Sequence, residues 1–284
     1  MFKVSDNGVV MPVDRIFFNF NHYHNAIYVD TGGGARRMNV DQYTFGVEKT
    51  FFDGLTSLEV RIPFAYTADS HQEVSEYPGM ATEFGNIILI PKLLLVSNGN
   101  TNVAVGLGIG LPTSRDTELV FFGEGSFIVE SESVVLSPFL GFNHRLSDRW
   151  WSTGYLQASF DCNGNSVLVD NTVVGVYQEQ ALLSLDLALN YELYFNTSAR
   201  YFRRVVPTVE LHLTTSLQDS DDVHFVSNPL NRFDILNLTA GFHIDVTRLS
   251  RLSVAAVVPL RHEEADGVFG LPDSEIAVQF NQYF

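Results

Sequence analysis

Residues 183–193 read Leu-Ser-Leu-Asp-Leu-Ala-Leu-Asn-Tyr-Glu-Leu, with an apolar side chain at every odd position and a small or polar one at every even position. Successive side chains of a strand point to opposite faces, so this stretch carries one apolar face and one polar face. Residues 103–111 repeat the pattern with Ala and Gly on the second face. Residues 58–62 place Glu59 and Arg61 there, 209–213 place Glu210 and His212, and 236–244 place Asn237, Thr239, Gly241 and His243. No stretch of comparable length has helical periodicity. The expected class is all-β.

Marking each such run gives twelve expected strands, at 15–28, 42–51, 57–66, 86–96, 101–112, 133–145, 150–160, 182–195, 205–215, 235–244, 252–260 and 275–284. The segments between them alternate in length without exception. Long ones occupy 29–41, 67–85, 113–132, 161–181, 216–234 and 261–274. Between them lie Phe52-Asp53-Gly54-Leu55 and the short connections 97–100, 146–149, 196–204 and 246–250. In an up-and-down sheet every long loop then sits at one end and every tight turn at the other. With an even strand number, that is the pattern of an outer-membrane barrel.

A membrane-spanning helix is excluded. It needs about 20 consecutive apolar residues, and the longest uncharged stretch, 93–114, is broken by Ser97-Asn98-Gly99-Asn100-Thr101-Asn102. A soluble barrel turns its apolar face inward, whereas a membrane barrel gives that face to lipid. Here the polar faces hold Glu48, Glu59, Arg61, Asp186, Glu192, Glu210 and His212, and the apolar faces are nearly unbroken Leu, Val, Ile and Phe. The chain has 23 Phe and 45% hydrophobic residues, yet its mean hydropathy is only +0.07. Averaging a lipid-facing half with a watery half produces that combination. The net charge of 17 − 33 = −16 excludes a nucleic-acid partner, which needs clustered Lys and Arg. Cys162 is alone and forms no internal disulfide.

Aromatic residues gather at the tight-turn end: Phe51, Phe52, Trp150, Trp151, Tyr191, Tyr194, Phe195, Tyr201, Phe202, Tyr283 and Phe284. Amphipathic rings favour the headgroup level, where they form a girdle. In the last strand Ile276, Val278, Phe280 and the final Phe284 share one face, and Glu275, Ala277, Gln279 and Asn281 share the other. This tail resembles the signal read by the outer-membrane barrel assembly machinery, with Gln282 where that pattern has an apolar residue. More widely, Met11-Pro12-Val13-Asp14-Arg15-Ile16-Phe17-Phe18-Asn19-Phe20-Asn21, Phe45-Gly46-Val47-Glu48-Lys49-Thr50-Phe51-Phe52-Asp53-Gly54 and Glu59-Val60-Arg61-Ile62-Pro63-Phe64 resemble bacterial outer-membrane barrels of the phenol-degradation (meta-pathway) transporter type. The resemblance covers the first three strands. It implies an outer-membrane location, a transport role and a trimmed start. Met1-Phe2-Lys3-Val4-Ser5-Asp6-Asn7-Gly8 lacks the charged start, apolar run and cleavage site of an export signal.

Asp53-Gly54 is a favoured two-residue hairpin centre, which pairs Phe52 with Leu55 and, continuing, Glu48 with Glu59. Both then face the lumen, with Arg61 one diagonal step from Glu48. Facing carboxylates repel, so a cation must neutralise them or one must take a proton. Arg15, Arg61 and Lys92 are the partners at hand. A two-residue Asn98-Gly99 turn pairs Lys92 with Val105 and points it into lipid, which costs about 2–4 kcal/mol at mid-depth. A three-residue loop pairs it with Gly106 and points it inward, and that register is expected. The cluster reads either as a selectivity filter or as a salt-bridge network packing a closed lumen.

The long loops are acidic, with Asp69, Glu73, Glu76, Glu83, Asp116, Glu118, Glu124, Glu130, Glu132, Asp219, Asp221, Asp222, Glu263, Glu264 and Asp266. Such mouths attract cations, but the run 219–222 lacks the spaced Gly of a calcium loop, and no metal site is expected. Gly32-Gly33-Gly34-Ala35-Arg36-Arg37 lacks the Lys-Ser/Thr of a phosphate loop. His22 and His24 share a face without a third ligand. His212 with Glu210, or His243 with Asp245, supplies a base and its orienter for a membrane-embedded hydrolase, yet the sequence places no Ser with either. The expectation is a non-enzymatic barrel over residues 15–284, preceded by a periplasmic segment 1–14, with no cofactor. Its function is passive transport of small solutes past Arg15, Glu48, Glu59, Arg61, Lys92, Asp186, Glu192, Glu210 and His212. Its partners are membrane lipid, the assembly machinery and small solutes. A structural or adhesive barrel with a closed lumen is the main rival, and a hydrolase the second.

Overall fold

A computed structural model describes residues 7–30, 35–66, 83–121, 125–219, 221–223, 226–227, 232–261 and 272–284. Twelve strands build the wall: β1 (Arg15–Asp30), β2 (Ala35–Phe51), β3 (Thr56–Tyr66), β4 (Ile88–Ser97), β5 (Thr101–Gly110) and β6 (Val135–Arg145), then β7 (Trp150–Asp161), β8 (Leu182–Tyr191), β9 (Arg204–Ser216), β10 (Asp234–Asp245), β11 (Ser250–Arg261) and β12 (Ser274–Tyr283). Each pairs antiparallel with the next. β1 also pairs with β12, from Arg15 opposite Tyr283 to His24 opposite Ser274, so the sheet closes on itself.

Side-chain parity follows the sequence. On β8, Ser184, Asp186, Ala188 and Asn190 are buried, while Leu185, Leu187 and Leu189 are exposed. On β9, Glu210, His212 and Thr214 point in, and Val209, Leu211 and Leu213 point out. On β12, Glu275, Ala277, Gln279 and Asn281 are buried, whereas Ile276, Phe280 and, just beyond, Phe284 are exposed. A Leu, Val, Ile and Phe exterior around carboxylates, amides and hydroxyls belongs in lipid.

The β2–β3 turn has Asp53 at φ 55° and Gly54 at φ 82°, the two left-handed centres that a tight hairpin needs. Leu55 N donates to Phe52 O at 3.1 Å, and Glu48 sits opposite Glu59. The β4–β5 hairpin reaches its expected pairing by another route. Asn98 N donates to Thr101 O at 2.9 Å, so Gly99-Asn100 is the turn centre rather than a three-residue loop. Leu95 is then an extra residue on β4, a bulge that shifts the ladder so that Lys92 still faces Gly106.

Other boundaries differ from expectation. Much of the expected loop 29–41 is strand, since β1 and β2 stay paired as far as Asp30 and Ala35, past a bulge between Tyr23 and Ile27. The expected strand 182–195 ends at Tyr191, and Tyr194–Phe195 pairs separately with the start of β9. Four expected loops contain further short strands: Glu83–Phe84 pairs with β3, Asp222–Val223 pairs with Val226–Ser227, and the other two loops build one sheet together. Thr117–Phe121, Gly125–Val129, Asn165–Val169 and Thr172–Tyr177 form a four-stranded sheet at the long-loop end.

Three rings lie on glycines inside the barrel. Phe17 is paired with Gly46, Phe139 with Gly106 and Tyr155 with Gly141. A Cβ added to Gly46 would lie 2.1 Å from the Phe17 ring, and one on Gly106 would lie 2.3 Å from that of Phe139. Only glycine lets these rings rest against the wall. Gly46→Leu is expected to displace Phe17 and destabilise the barrel by about 1–3 kcal/mol, read as a lower urea midpoint for unfolding from detergent micelles.

Candidate functional site: the barrel interior

The chain enters its own barrel before the first strand begins. Asp14 anchors the foot of this segment: Lys49 Nζ donates to its carboxylate at 2.8 Å, and Thr50 donates through its N–H at 2.7 Å and its hydroxyl at 2.8 Å. These bonds, Lys49's first, hold the Asp14 pKa down at about 2. Further in, Asn7 and Val10 are buried. Asn7 Nδ2 donates to Asn19 Oδ1 at 3.0 Å, and Asn281 Nδ2 donates to Asn7 Oδ1 at 3.0 Å. Val10 packs with Ile90, Ala104, Phe139 and Tyr155.

Beside this segment β1 to β4 assemble a charged cluster. Arg15 Nε donates to Glu48 Oε2 and Arg15 Nη2 to Glu59 Oε2, both at 3.0 Å. Lys92 Nζ lies 2.9 Å from Glu48 Oε1 and 2.8 Å from Glu59 Oε2, while Arg61 Nε lies 2.6 Å from Glu59 Oε1. Ser57 Oγ donates to Glu48 Oε1 at 2.7 Å. Arg15, Lys92, Glu48 and Glu59 have no exposed side-chain surface. The opposed carboxylates are thus held by three cations, with the Arg15 guanidinium 4.5 Å and that of Arg61 5.6 Å from the centre of the Phe17 ring. Lys92→Met is expected to cost on the order of 3 kcal/mol, because Glu48 and Glu59 each lose a buried charge-assisted contact. Adding Glu59→Gln is expected to deepen that loss in the same urea titration, because Arg15 and Arg61 then share the single carboxylate charge of Glu48.

A second cluster stands on the opposing wall, β8 to β10. Asp186 Oδ1 lies 2.8 Å from His212 Nδ1, while Thr239 Oγ1 and Glu210 Oε2 lie 2.8 Å and 3.2 Å from His212 Nε2. Glu192 shares the inward parity of Asp186, but β8 has ended before it. It pairs with Arg204 at 2.7 Å at the tight-turn rim and is separate from the cluster.

Ser253 and Thr239 were not legible as histidine partners in the sequence. His243 Nδ1 lies 2.7 Å from Ser253 Oγ, and Asp245 turns away to Arg251 Nε at 2.6 Å. Acyl transfer needs free N–H donors aimed at the developing oxyanion. Thr239 and Ser253 instead lie in ladders paired on both sides, Thr239 with Glu210 and Val257, Ser253 with His243 and Gln279. These contacts order the wall. Among the described residues no three His, Cys, Asp or Glu side chains converge as a metal site.

On the tight-turn side of the inserted segment lies a cavity of about 240 Å³, lined among others by Asn102, Asn143, Trp151, Asn190, His243 and Tyr283. Trp151 and Tyr283 therefore belong to the interior and not to the outer girdle, which includes Phe51, Phe52, Trp150, Phe195, Phe202 and Phe284. Of the acidic loop residues, Asp69, Glu73, Glu76, Glu124, Glu263, Glu264 and Asp266 lie outside the described residues, as do Gly32, Gly33 and Gly34. Asp219 pairs with Arg232 at 2.6 Å, and Asp116 accepts from Ser131 N at 2.8 Å. His22 pairs with Asp41 at 2.6 Å.

No protein-family model matches the chain, and no curated protein does. Solved structures do. An outer membrane channel from Pseudomonas putida F1 superposes with a TM-score of 0.62 over 96% of this chain and 97% of its own, at 11% identity. The beta domain of the Bordetella autotransporter BrkA gives 0.56 over 96% and 100%, at 11% identity. The NanC porin gives 0.53 over 95% and 100%, at 6% identity. At these identities the likeness is one of fold, and porins and an autotransporter domain share it. The chain is a closed twelve-stranded antiparallel barrel of the outer-membrane type.

Proposed function

We propose that the barrel is a passive pore for small solutes across an outer membrane. The observation that carries this reading is an interior lined with charged, amide and hydroxyl groups beside a cavity of about 240 Å³, inside a wall whose outer face is apolar. The path runs between the wall of Arg15, Glu48, Glu59, Arg61 and Lys92 and the wall of Asp186, Glu210 and His212, with residues 7–10 narrowing it. The asymmetry of loops and turns supports placing the tight turns and both termini in the periplasm. The exposed faces of Ile276, Phe280 and Phe284 support engagement by the barrel assembly machinery. The likeness of residues 11–21, 45–54 and 59–64 to phenol-degradation type transporters supports a transport role without naming a solute.

Planar-bilayer recording tests this. The full chain is expected to give small ohmic steps, and removal of residues 1–11 to raise the step size several-fold. Silence from both proteins, each shown to be folded by heat-modifiable migration, would defeat the reading. The four-stranded sheet at the long-loop end favours an adhesive role as the second reading. That reading gives silent barrels whose surface binding disappears when residues 113–132 are shortened.

A further inference from the structure

One half of the tight-turn rim carries charge opposite to that of the chain. The β6–β7, β8–β9 and β10–β11 turns follow one another around the barrel. Residues 145–151, 191–204 and 245–251 hold seven of the 17 cations against three acids, in a chain of net charge −16. Two of those acids are engaged within the rim, Glu192 by Arg204 at 2.7 Å and Asp245 by Arg251 at 2.6 Å. Arg145, Arg149, Arg200 and Arg248 are exposed.

Exposed apolar groups stand among these guanidiniums: Leu146, Trp150, Leu193, Phe195, Phe202 and Leu249. They continue the lipid-facing surface of β6 to β11 to its lower margin, the depth at which headgroups begin. Rings and guanidiniums are also in contact, with Arg200 5.3 Å from the centre of the Tyr201 ring and Arg204 5.9 Å from that of Phe195. A partner for this surface must offer a negative group that sits directly above hydrocarbon. A dissolved acidic protein offers only the charge. Arginine's planar fork suits phosphate oxygens in particular.

We propose that this half-collar binds the phosphates of anionic phospholipids in the leaflet at the tight-turn end, fixing the depth of the barrel on that side. The inference goes beyond the pore reading and requires only the membrane-spanning fold. Native mass spectrometry of the full chain in detergent, titrated with dioleoyl phosphatidylglycerol or dioleoyl phosphatidylcholine, reads it directly. The chain is expected to retain phosphatidylglycerol roughly tenfold more strongly, and the preference to shrink as salt rises from about 20 to about 300 mM. Replacing Arg145, Arg149, Arg200 and Arg248 together by Gln is expected to abolish the preference, whereas replacing Arg37, Arg115 and Arg232 leaves it intact. Equal retention of the two lipids by the native chain, a preference indifferent to salt, or its loss in the three-residue control overturns the proposal. The native-chain arms decide the matter even where the four-residue variant does not fold. No arm measures conductance, so a failed lipid preference leaves the pore reading standing, and a silent pore leaves this one standing.

Discussion

In hydrocarbon no water is present to satisfy a backbone N–H or C=O, and each one left open costs several kcal/mol. The pairing of β1 with β12 meets this constraint, carrying the ladder from Arg15–Tyr283 to His24–Ser274 and leaving the wall without an edge. Closure has a second consequence. A strand in a closed wall has one side in lipid and one in the bore, so every residue is assigned by parity alone. That is why Leu185 and Asp186, adjacent in sequence, meet opposite solvents.

Charges brought into the bore then need partners. Around Glu48 and Glu59 three cations face two carboxylates, and the surplus is met by the chain's own beginning. Arg15 Nη2 donates to the Asn7 carbonyl at 3.1 Å and Arg15 Nη1 to Asn7 Oδ1 at 3.0 Å, while Lys92 Nζ reaches the Val9 carbonyl at 3.3 Å. The inserted segment completes the hydrogen bonding of the cluster, so the residues that narrow the path also stabilise its wall. The wall opposite is acidic, with Asp186 and Glu210 about His212. A bore with a cationic side and an acidic side carries a transverse field.

How much of this was readable in the sequence depends on where each residue meets lipid. Within the bilayer a misplaced charge costs about 2–4 kcal/mol, so alternation is strict and the strands and their inward residues are legible. The Glu48–Glu59 pair was legible too, because Asp53-Gly54 fixes the register of that hairpin. Beyond the bilayer both faces meet water and the constraint lapses. There the upper β1–β2 hairpin and the four-stranded outer sheet passed for loops. Glu192 failed differently, since its parity was correct but the strand had stopped. Residues 7–10 have no period, because they are held by individual bonds rather than by a ladder.

The interior rings show what a parity reading leaves out. Phe17, Phe139 and Tyr155 occupy inward positions where polar residues are expected, and each is directly opposite a glycine on the neighbouring strand. Phe142 does the same with Gly154 on the outer face, where a Cβ would come within 2.4 Å of its ring. The pairing therefore answers to the wall rather than to the lumen: a ring can lie along a sheet only where the next strand has no side chain. On the outer face the result is a smooth surface for lipid. On the inner face a ring laid flat takes less of the bore than one standing upright. The free cross-section is then set by where glycines fall opposite aromatics as much as by the number of strands.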